Sequence, residues 1–375
     1  MIVLDDIWST KVWDEIRMYF PDNSNGSRIV ITTRVSDVAF YVAGSKSLHH
    51  VRLLNKSVSR DLLCRIVFGE EDCPDELQEV AAKIGSDCSG LPIAIHVIGG
   101  LLSKVERSRD IWENVSTDVK TSIVESDEQG FSNILSLSYN HLSFHLKPCF
   151  LYMGAFPEDY IIKGSRLKSL LIAEGFVKSN RDKSLEEVGE DYLKALVDRN
   201  LISVRRKNTN GKPTSYSIHD LLRDLCLSKA NEEKLLILKD SMRRVSVQTC
   251  YEIEDECASL ELMLFARSFI CTGEEIISPV YSILRLVRAL DVMGMVFEAF
   301  PGEILQLVNL HYLAFSCTSG VPIGISRLWN LQTLICGQPI TLNLPSEIWE
   351  ISELKTSQVA HSNRSWGRIQ DKIYS

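Results

Sequence analysis

The amino-terminal 68 residues alternate short apolar runs with helical periods. "MIVLDD" sets Ile2, Val3 and Leu4 in a row, the pattern of a strand covered on both faces. "KVWDEIRMYF" places Val12, Trp13, Ile16 and Phe20 along one side of a helix. After the turn "DNSNG", "SRIVITTR" reads as a second strand, and "HHVRLL" as a third. Strand, helix and strand at this spacing predict a parallel α/β sheet. "CPDELQEVAAKIGSDCSGLPIAIHVIGGLLS" then predicts two helices split by Gly90 and Pro92, with Leu77, Val80, Ala81 and Ile84 carrying the helical period of the first.

From about 131 to 238 the pattern stays helical until "LISVRRKNTNGKPTSYSIHD", a hairpin of two alternating runs turned at Asn210-Gly211. Three helices followed by such a wing predict a winged helix. Beyond about 265, Leu290, Leu313, Leu334 and Leu354 recur at spacings of 23, 21 and 20, each preceded three residues earlier by Val287, Leu310, Leu331 and Ile351. Ala266 and Phe269 begin the series. A fixed L-x-x-L period of this length predicts a leucine-rich-repeat solenoid with one strand per repeat; unrelated amphipathic helices would not keep the period. The repeats are ragged, and "HSNRSWGRIQDKIYS" does not continue them.

Composition adds exclusions. A formal charge of −8 and an acidic helix, "SLEEVGEDYLKALVDRN", ahead of the wing argue against nucleic acid as the partner. Arg205, Arg206 and Lys207 then read as solvated wing charges. Ten cysteines without paired C-x-x-C spacing read as reduced thiols of a cytosolic protein. Asp5 and Asp6 interrupt the first apolar stretch, so it does not read as a signal peptide. "LPIAIHVIGGLL" is too short to span a bilayer.

The candidate chemistry sits where elements end. A carboxylate pair closing a strand, Asp5 and Asp6, can hold Mg²⁺ through water and orient an attacking water. Acidic residues end many strands, so the pair alone decides nothing. Arg34 closes "RIVITTR" and could meet a terminal phosphate bidentately, or could be a surface charge. Gly90 can end one helix while Pro92 opens the next, a joint that also stands without any ligand. His219 precedes "LLRDLCLSKAN", where a ring N–H can point toward an anion, and Asp220 suits the N-cap.

In this order "LDDIW", "GSRIVITTR", "GLPIA", "CFLYMGAFPEDY" and "IHDLLRDL" resemble the successive motifs of plant nucleotide-binding, leucine-rich-repeat immune receptors. The tryptophan after the acidic pair, Trp8, is typical of their coiled-coil class, and the late blight resistance group is the nearest likeness. The motifs run from residue 1 to about 238, and the repeats extend the resemblance loosely to about 356. The resemblance implies that Asp5 coordinates Mg²⁺, Asp6 is catalytic and Arg34 senses the γ-phosphate. It implies that Gly90, Leu91 and Pro92 form the nucleotide loop, with Pro92 on the adenine. His219 would touch the ADP β-phosphate, with Asp220 as its support. Ile218 replaces the usual methionine, and Arg60 stands where many members have tryptophan.

The implied architecture is multidomain: the C-terminal part of a nucleotide-binding α/β domain (1–68), a helical domain (69–130), a winged helix (131–238), a linker (239–265) and leucine-rich repeats (266–375). No G-x-x-x-x-G-K-[S/T] occurs in the chain. The sheet is therefore expected to lack its phosphate-loop strand, and the chain to be truncated at both ends. The implied activity is a cytoplasmic ADP/ATP switch, with peripheral attachment to membranes left open, whose ATPase turnover resets it. Its partners would be a pathogen effector or host guard protein on the repeats, and further copies of itself. Nucleotide binding and catalysis are expected to be poor in this chain alone. Two alternatives remain open: a nucleotide-incompetent interaction module or decoy acting on an intact receptor, and a winged-helix transcription regulator.

Overall fold

The computed structural model describes residues 1–20, 26–44, 47–124, 130–179, 182–233, 244–247, 264–271, 280–337, 345–354, 356–360 and 366–368. It divides into two compact units, Met1–Leu53 and Leu54–Ser375.

In the first unit, β1 (Ile2–Leu4) is followed by α1 (Thr10–Arg17), β2 (Ile29–Ile31) and α2 (Ser36–Ala43). The strands pair in parallel, Ile2 with Ile29 and Leu4 with Ile31. The Ser9 hydroxyl caps α1 by accepting the Val12 N–H at 3.2 Å. The expected third strand is corrected: "HHVRLL" has no strand structure, and Val51 is 90% exposed.

The second unit opens with a helical core of α3 (Lys56–Phe68), α4 (Asp75–Asp87), α5 (Pro92–Leu102) and α6 (Arg109–Val124). Leu63, Ile84, Ile95, Ile98 and Trp112 fill it, with Phe68 stacked on Trp112 at 5.8 Å. Helix α3, placed by sequence with the α/β segment, packs here because its apolar positions Leu63, Val67 and Phe68 face α4 and α6. Next come α7 (Gly130–Asn140), α8 (Lys147–Leu151), β3 (Ile162–Lys163), α9 (Gly164–Ala173), α10 (Leu185–Val197), β4 (Ser203–Lys207), β5 (Pro213–Ser217) and α11 (Asp220–Glu232). The strands form an antiparallel sheet in the order β3-β5-β4. Phe150, Tyr152, Phe156, Leu170, Leu196 and Leu222 form the core beside it.

A seven-stranded sheet closes the described chain: β6 (Arg244–Val247), β7 (Ser268–Cys271), β8 (Ala289–Phe297), β9 (Tyr312–Cys317), β10 (Thr333–Gly337), β11 (Thr356–Ala360) and β12 (Trp366–Arg368). The first six are parallel, and 3₁₀ turns follow at Val280–Ile283, Gly302–Gln306, Ile325–Arg327 and Ser346–Glu350. Ser268, Ala289, Tyr312, Thr333 and Thr356 stand in one line across it, steps of 21, 23, 21 and 23 residues. This corrects the phase of the last repeat. Leu334 pairs with Ser357, so Leu354 takes the place of Leu331 and not of Leu334. The linker expected at 239–265 contains β6, and most of its other residues, like 369–375, lie outside the described ones.

Alternation assigns the two faces of this sheet to different cores. Phe269, Leu290, Leu313, Phe315 and Leu334 pack beneath it on the 3₁₀ turns. Ile270, Ala289, Tyr312, Ala314 and Ile335 pack on the winged-helix core. The asparagine preceding the first leucine of each L-x-x-L pair ties neighbouring turns together: Asn309 Nδ2 donates to Arg285 O at 3.0 Å and Asn330 Nδ2 to Val308 O at 2.9 Å.

Candidate functional site

The candidate residues fall in three places. In the first unit, Asp5 and Asp6 leave the carboxyl end of β1 while Thr32, Thr33 and Arg34 leave that of β2, the end where parallel sheets present ligand-binding groups. Thr32 organises both acids: its hydroxyl donates to Asp5 Oδ1 and accepts the Asp6 N–H at 2.9 Å. Asp6 adopts φ +56°, a left-handed conformation aspartate tolerates better than most residues. That turn aims its carboxylate at Arg34, whose Nη2 lies 3.1 Å away. The guanidinium also covers the Trp8 ring, 4.6 Å from its centroid. Sequence reasoning named both acids and the arginine but not Thr32 or the role of the Trp8 ring. The paired threonines ahead of Arg34 were the available signal.

In the second unit, Gly90 shapes a tight joint. Its φ is +73°, and a Cβ there would lie 2.2 Å from Leu54 O. Gly90 O in turn accepts the Leu54 N–H at 2.9 Å. Only glycine combines that backbone with that approach. Leu91 is the N-cap of α5 and Pro92 its first residue, with the proline ring exposed.

At the start of α11 the cap is His219, not Asp220. His219 is extended (φ −76°, ψ 143°) and its Nδ1 accepts the Leu221 N–H at 3.3 Å, so Asp220 is the first helical residue. Ring geometry decides this: a histidine Nδ1 reaches the second amide of the helix as an asparagine oxygen would. With Nδ1 accepting, the neutral ring carries its hydrogen on Nε2, and the side chain is exposed. Asp220 then adds negative charge to the first turn, where the helix dipole favours it.

One buried group has no precedent in the sequence analysis. Asp291, fully buried on β8, receives Arg166 Nε of α9 at 2.6 Å and the Tyr312 hydroxyl at 3.0 Å. Burial opposes the charge on Arg166, but Asp291 and the tyrosines outweigh it and hold the guanidinium above its usual range. Nearby, Tyr152 meets Ser268, which donates to Glu174. These polar bonds join the winged helix to β7–β9. Contacts across 125 residues leave no local signature.

The NB-ARC domain family matches residues 1–73, and the disease resistance protein winged helix domain matches residues 155–226. Late blight resistance protein R1-A of Solanum demissum is 34% identical over 389 residues, covering 95% of this chain and 30% of that protein. Two putative homologs from the same species, R1B-16 and R1B-23, are 34% and 33% identical, each over 95% of the chain. The chain spans 29–30% of the length of these relatives. Among the described residues no helix is long and apolar enough to cross a membrane. With both domain families in their expected order and this identity along nearly its whole length, the chain belongs to the NB-ARC, winged-helix disease resistance proteins of plants, alongside the late blight resistance group.

Proposed function

We propose that this chain is the central part of a cytoplasmic immune receptor whose ADP- and ATP-bound states are off and on. The observation that carries the reading is the His219 cap. Its Nδ1 is occupied by the Leu221 amide, which leaves an exposed Nε2–H as donor for an anion. A histidine held this way suits contact with an ADP phosphate, and Asp220 supports the helix start that presents it.

The other assignments follow the family. Arg34 is held by Asp6 and Trp8, a pairing that a γ-phosphate would compete with. Asp6 is the catalytic acid. Asp5 is an exposed hard-oxygen donor, the ligand type that Mg²⁺ takes one or two at a time while keeping several waters. When bound, Mg²⁺ would neutralise phosphate charge. Gly90, Leu91 and Pro92 form the adenine loop. The ladder of parallel strands and 3₁₀ turns is read as leucine-rich repeats. Because the winged helix covers one face of β7–β10, an effector or host guard protein would dock elsewhere on the repeats. Further copies of the receptor assemble with it in the on state.

A second reading is a decoy without nucleotide chemistry that acts on an intact receptor. A graft separates the two: residues 1–375 replace the matching stretch of full-length R1-A, which is then expressed in leaves. The switch reading expects His219→Ala or Asp220→Val to cause cell death without a pathogen. It also expects silence when the graft's phosphate loop is disabled. Quiet variants at normal abundance would reject the switch.

A further inference from the structure

Two thiols at the α3–α4 corner take no part in the nucleotide reading. Cys64 lies on α3 one turn before its end, and Cys73 lies just ahead of Asp75, the first residue of α4. Gly69 ends α3 in a left-handed turn (φ +68°), its N–H donating to Arg65 O at 2.9 Å, and the chain doubles back. Arg107 holds the returning segment: its Nη1 reaches Glu71 at 3.2 Å, and its guanidinium covers the Phe68 ring at 5.0 Å. The reversal sets the two thiols side by side. Cys64 hydrogen-bonds Cys73, and both side chains pack against the same helical core. Both are half-buried, whereas the other described cysteines are buried.

The two sulfurs are not equivalent. Cys73 Sγ donates its own hydrogen to Pro74 O at 3.7 Å, so it meets Cys64 as an acceptor. Burial raises both thiols above their usual range, Cys64 to about 12. At Cys73 the bond from Cys64, then the positive charge of Arg60, works against that rise. At Cys64 the neighbouring sulfur adds to it. Arg60 is itself paired with Asp61 at 2.6 Å, so its help is shared. Thiolate character therefore develops first at Cys73, with Cys64 beside it keeping its proton. An attacking thiol in contact with a second thiol is the arrangement that resolves oxidation as a disulfide.

We propose that Cys64 and Cys73 are a site of reversible oxidation, which a peroxide closes into an intramolecular disulfide. The Cys73 thiolate attacks one oxygen of hydrogen peroxide. An S–O bond forms, the O–O bond breaks, and the departing hydroxide takes up the proton that Cys73 lost, as water. The Cys64 sulfur then attacks the sulfenic acid. The S–S bond forms, the S–O bond breaks, and hydroxide leaves with the Cys64 proton as a second water. The thiol pair gives up two electrons, which reduce one peroxide to two waters. A dithiol reductant reverses the bond by thiol–disulfide exchange. The closed ring of residues 64–73 ties the end of α3 to the start of α4. None of the proposed nucleotide residues lies within it, so the site stands apart from the switch.

The test treats the full chain, reduced and folded, with hydrogen peroxide and maps its peptides without reductant. A peptide pair linked through Cys64 and Cys73, lighter by two hydrogens than the separate thiols, is expected, and dithiothreitol should return both thiols. In Cys64→Ser, Cys73 should stop at the sulfenic acid and react with dimedone. In Cys73→Ser, Cys64 should stay a thiol at the same peroxide dose. The ring should raise Tm by a few degrees over the reduced chain, and neither single variant should show that shift. A link to Cys250, Cys257 or a second chain in place of the ring overturns the site, as does a linked chain that melts no higher. So does Cys64 reacting in Cys73→Ser as fast as Cys73 does in the parent, or Cys73 passing to the sulfinic acid while Cys64 stays free.

Discussion

The two units of this chain hold their apolar residues in opposite ways. Among described residues of Met1–Leu53, Ile7 and Val38 are the buried apolar side chains, while Ile2, Val3, Trp8, Ile29, Val30 and Phe40 are exposed. In Leu54–Ser375, by contrast, three continuous cores bury the aromatic and aliphatic side chains of helices, wing and repeat strands. The strands "IVL" and "IVI" have the composition of a sheet covered on both faces, yet they lie bare. Sequence pattern thus specifies which residues pair, but packing decides how firmly they stay paired. The functional groups differ in the same sense. Asp5, Asp6 and Arg34 are held by local polar bonds at a bare sheet end. Gly90 and His219 are fixed by backbone geometry inside a packed body.

The largest expected effect sharpens this contrast. Phe150→Ala empties a fully buried position and should cost about 3–5 kcal/mol. Val30→Ala on the exposed strand should cost under about 1 kcal/mol. Denaturant melts of both variants, with hydrogen exchange to locate the transition, would check the pair. Equal losses would mean that the first unit is as firmly packed as the second.

Next in size is the buried pair that ties the repeats to the winged helix. Asp291→Asn leaves Arg166 charged and without its anion, at a cost of about 3–5 kcal/mol. The double change Arg166→Met with Asp291→Leu should recover much of that loss, since neither charge remains. A double variant no more stable than the single one would show that shape, and not charge, sets this contact.

The smallest effect concerns the surface cap of α10. Ser184 accepts the Glu187 N–H, and the Glu187 carboxylate accepts the Ser184 N–H in return. The Ser184 backbone and hydroxyl bonds hold the Glu187 carboxyl below its usual range. A depressed carboxyl stabilises the fold above its unfolded value, about 4.3, and that contribution is lost as pH falls through the folded value. Ser184→Ala should cost about 1 kcal/mol at pH 7, and the gap from the parent chain should narrow in acid. A pH-independent gap in Tm would contradict the reciprocal cap.

Much of this was legible beforehand, for physical reasons that differ by element. Gly90 and Pro92 announced a joint because few residues tolerate those backbone angles. Asn210-Gly211 announced the wing turn, where Gly211 has φ +75°. Leucine spacing announced the ladder but not its phase, because several apolar residues in each repeat fit an L-x-x-L template. "HHVRLL" has the composition of a strand, but strand formation needs a neighbour, which composition does not supply. His219 was read beside the cap and proved to be the cap, since histidine ranks below aspartate in capping preference. The Arg166–Asp291 bond depends on how two distant modules pack.

The switch reading is tested most directly by the rate of ADP release from the purified R1-A graft, with and without His219→Ala. Loss of a hydrogen bond to a charged acceptor should speed release about tenfold or more, and ATP should then load without any activating partner. Release at the parent rate, with the graft folded and nucleotide bound in equal amount, would contradict the role assigned to His219.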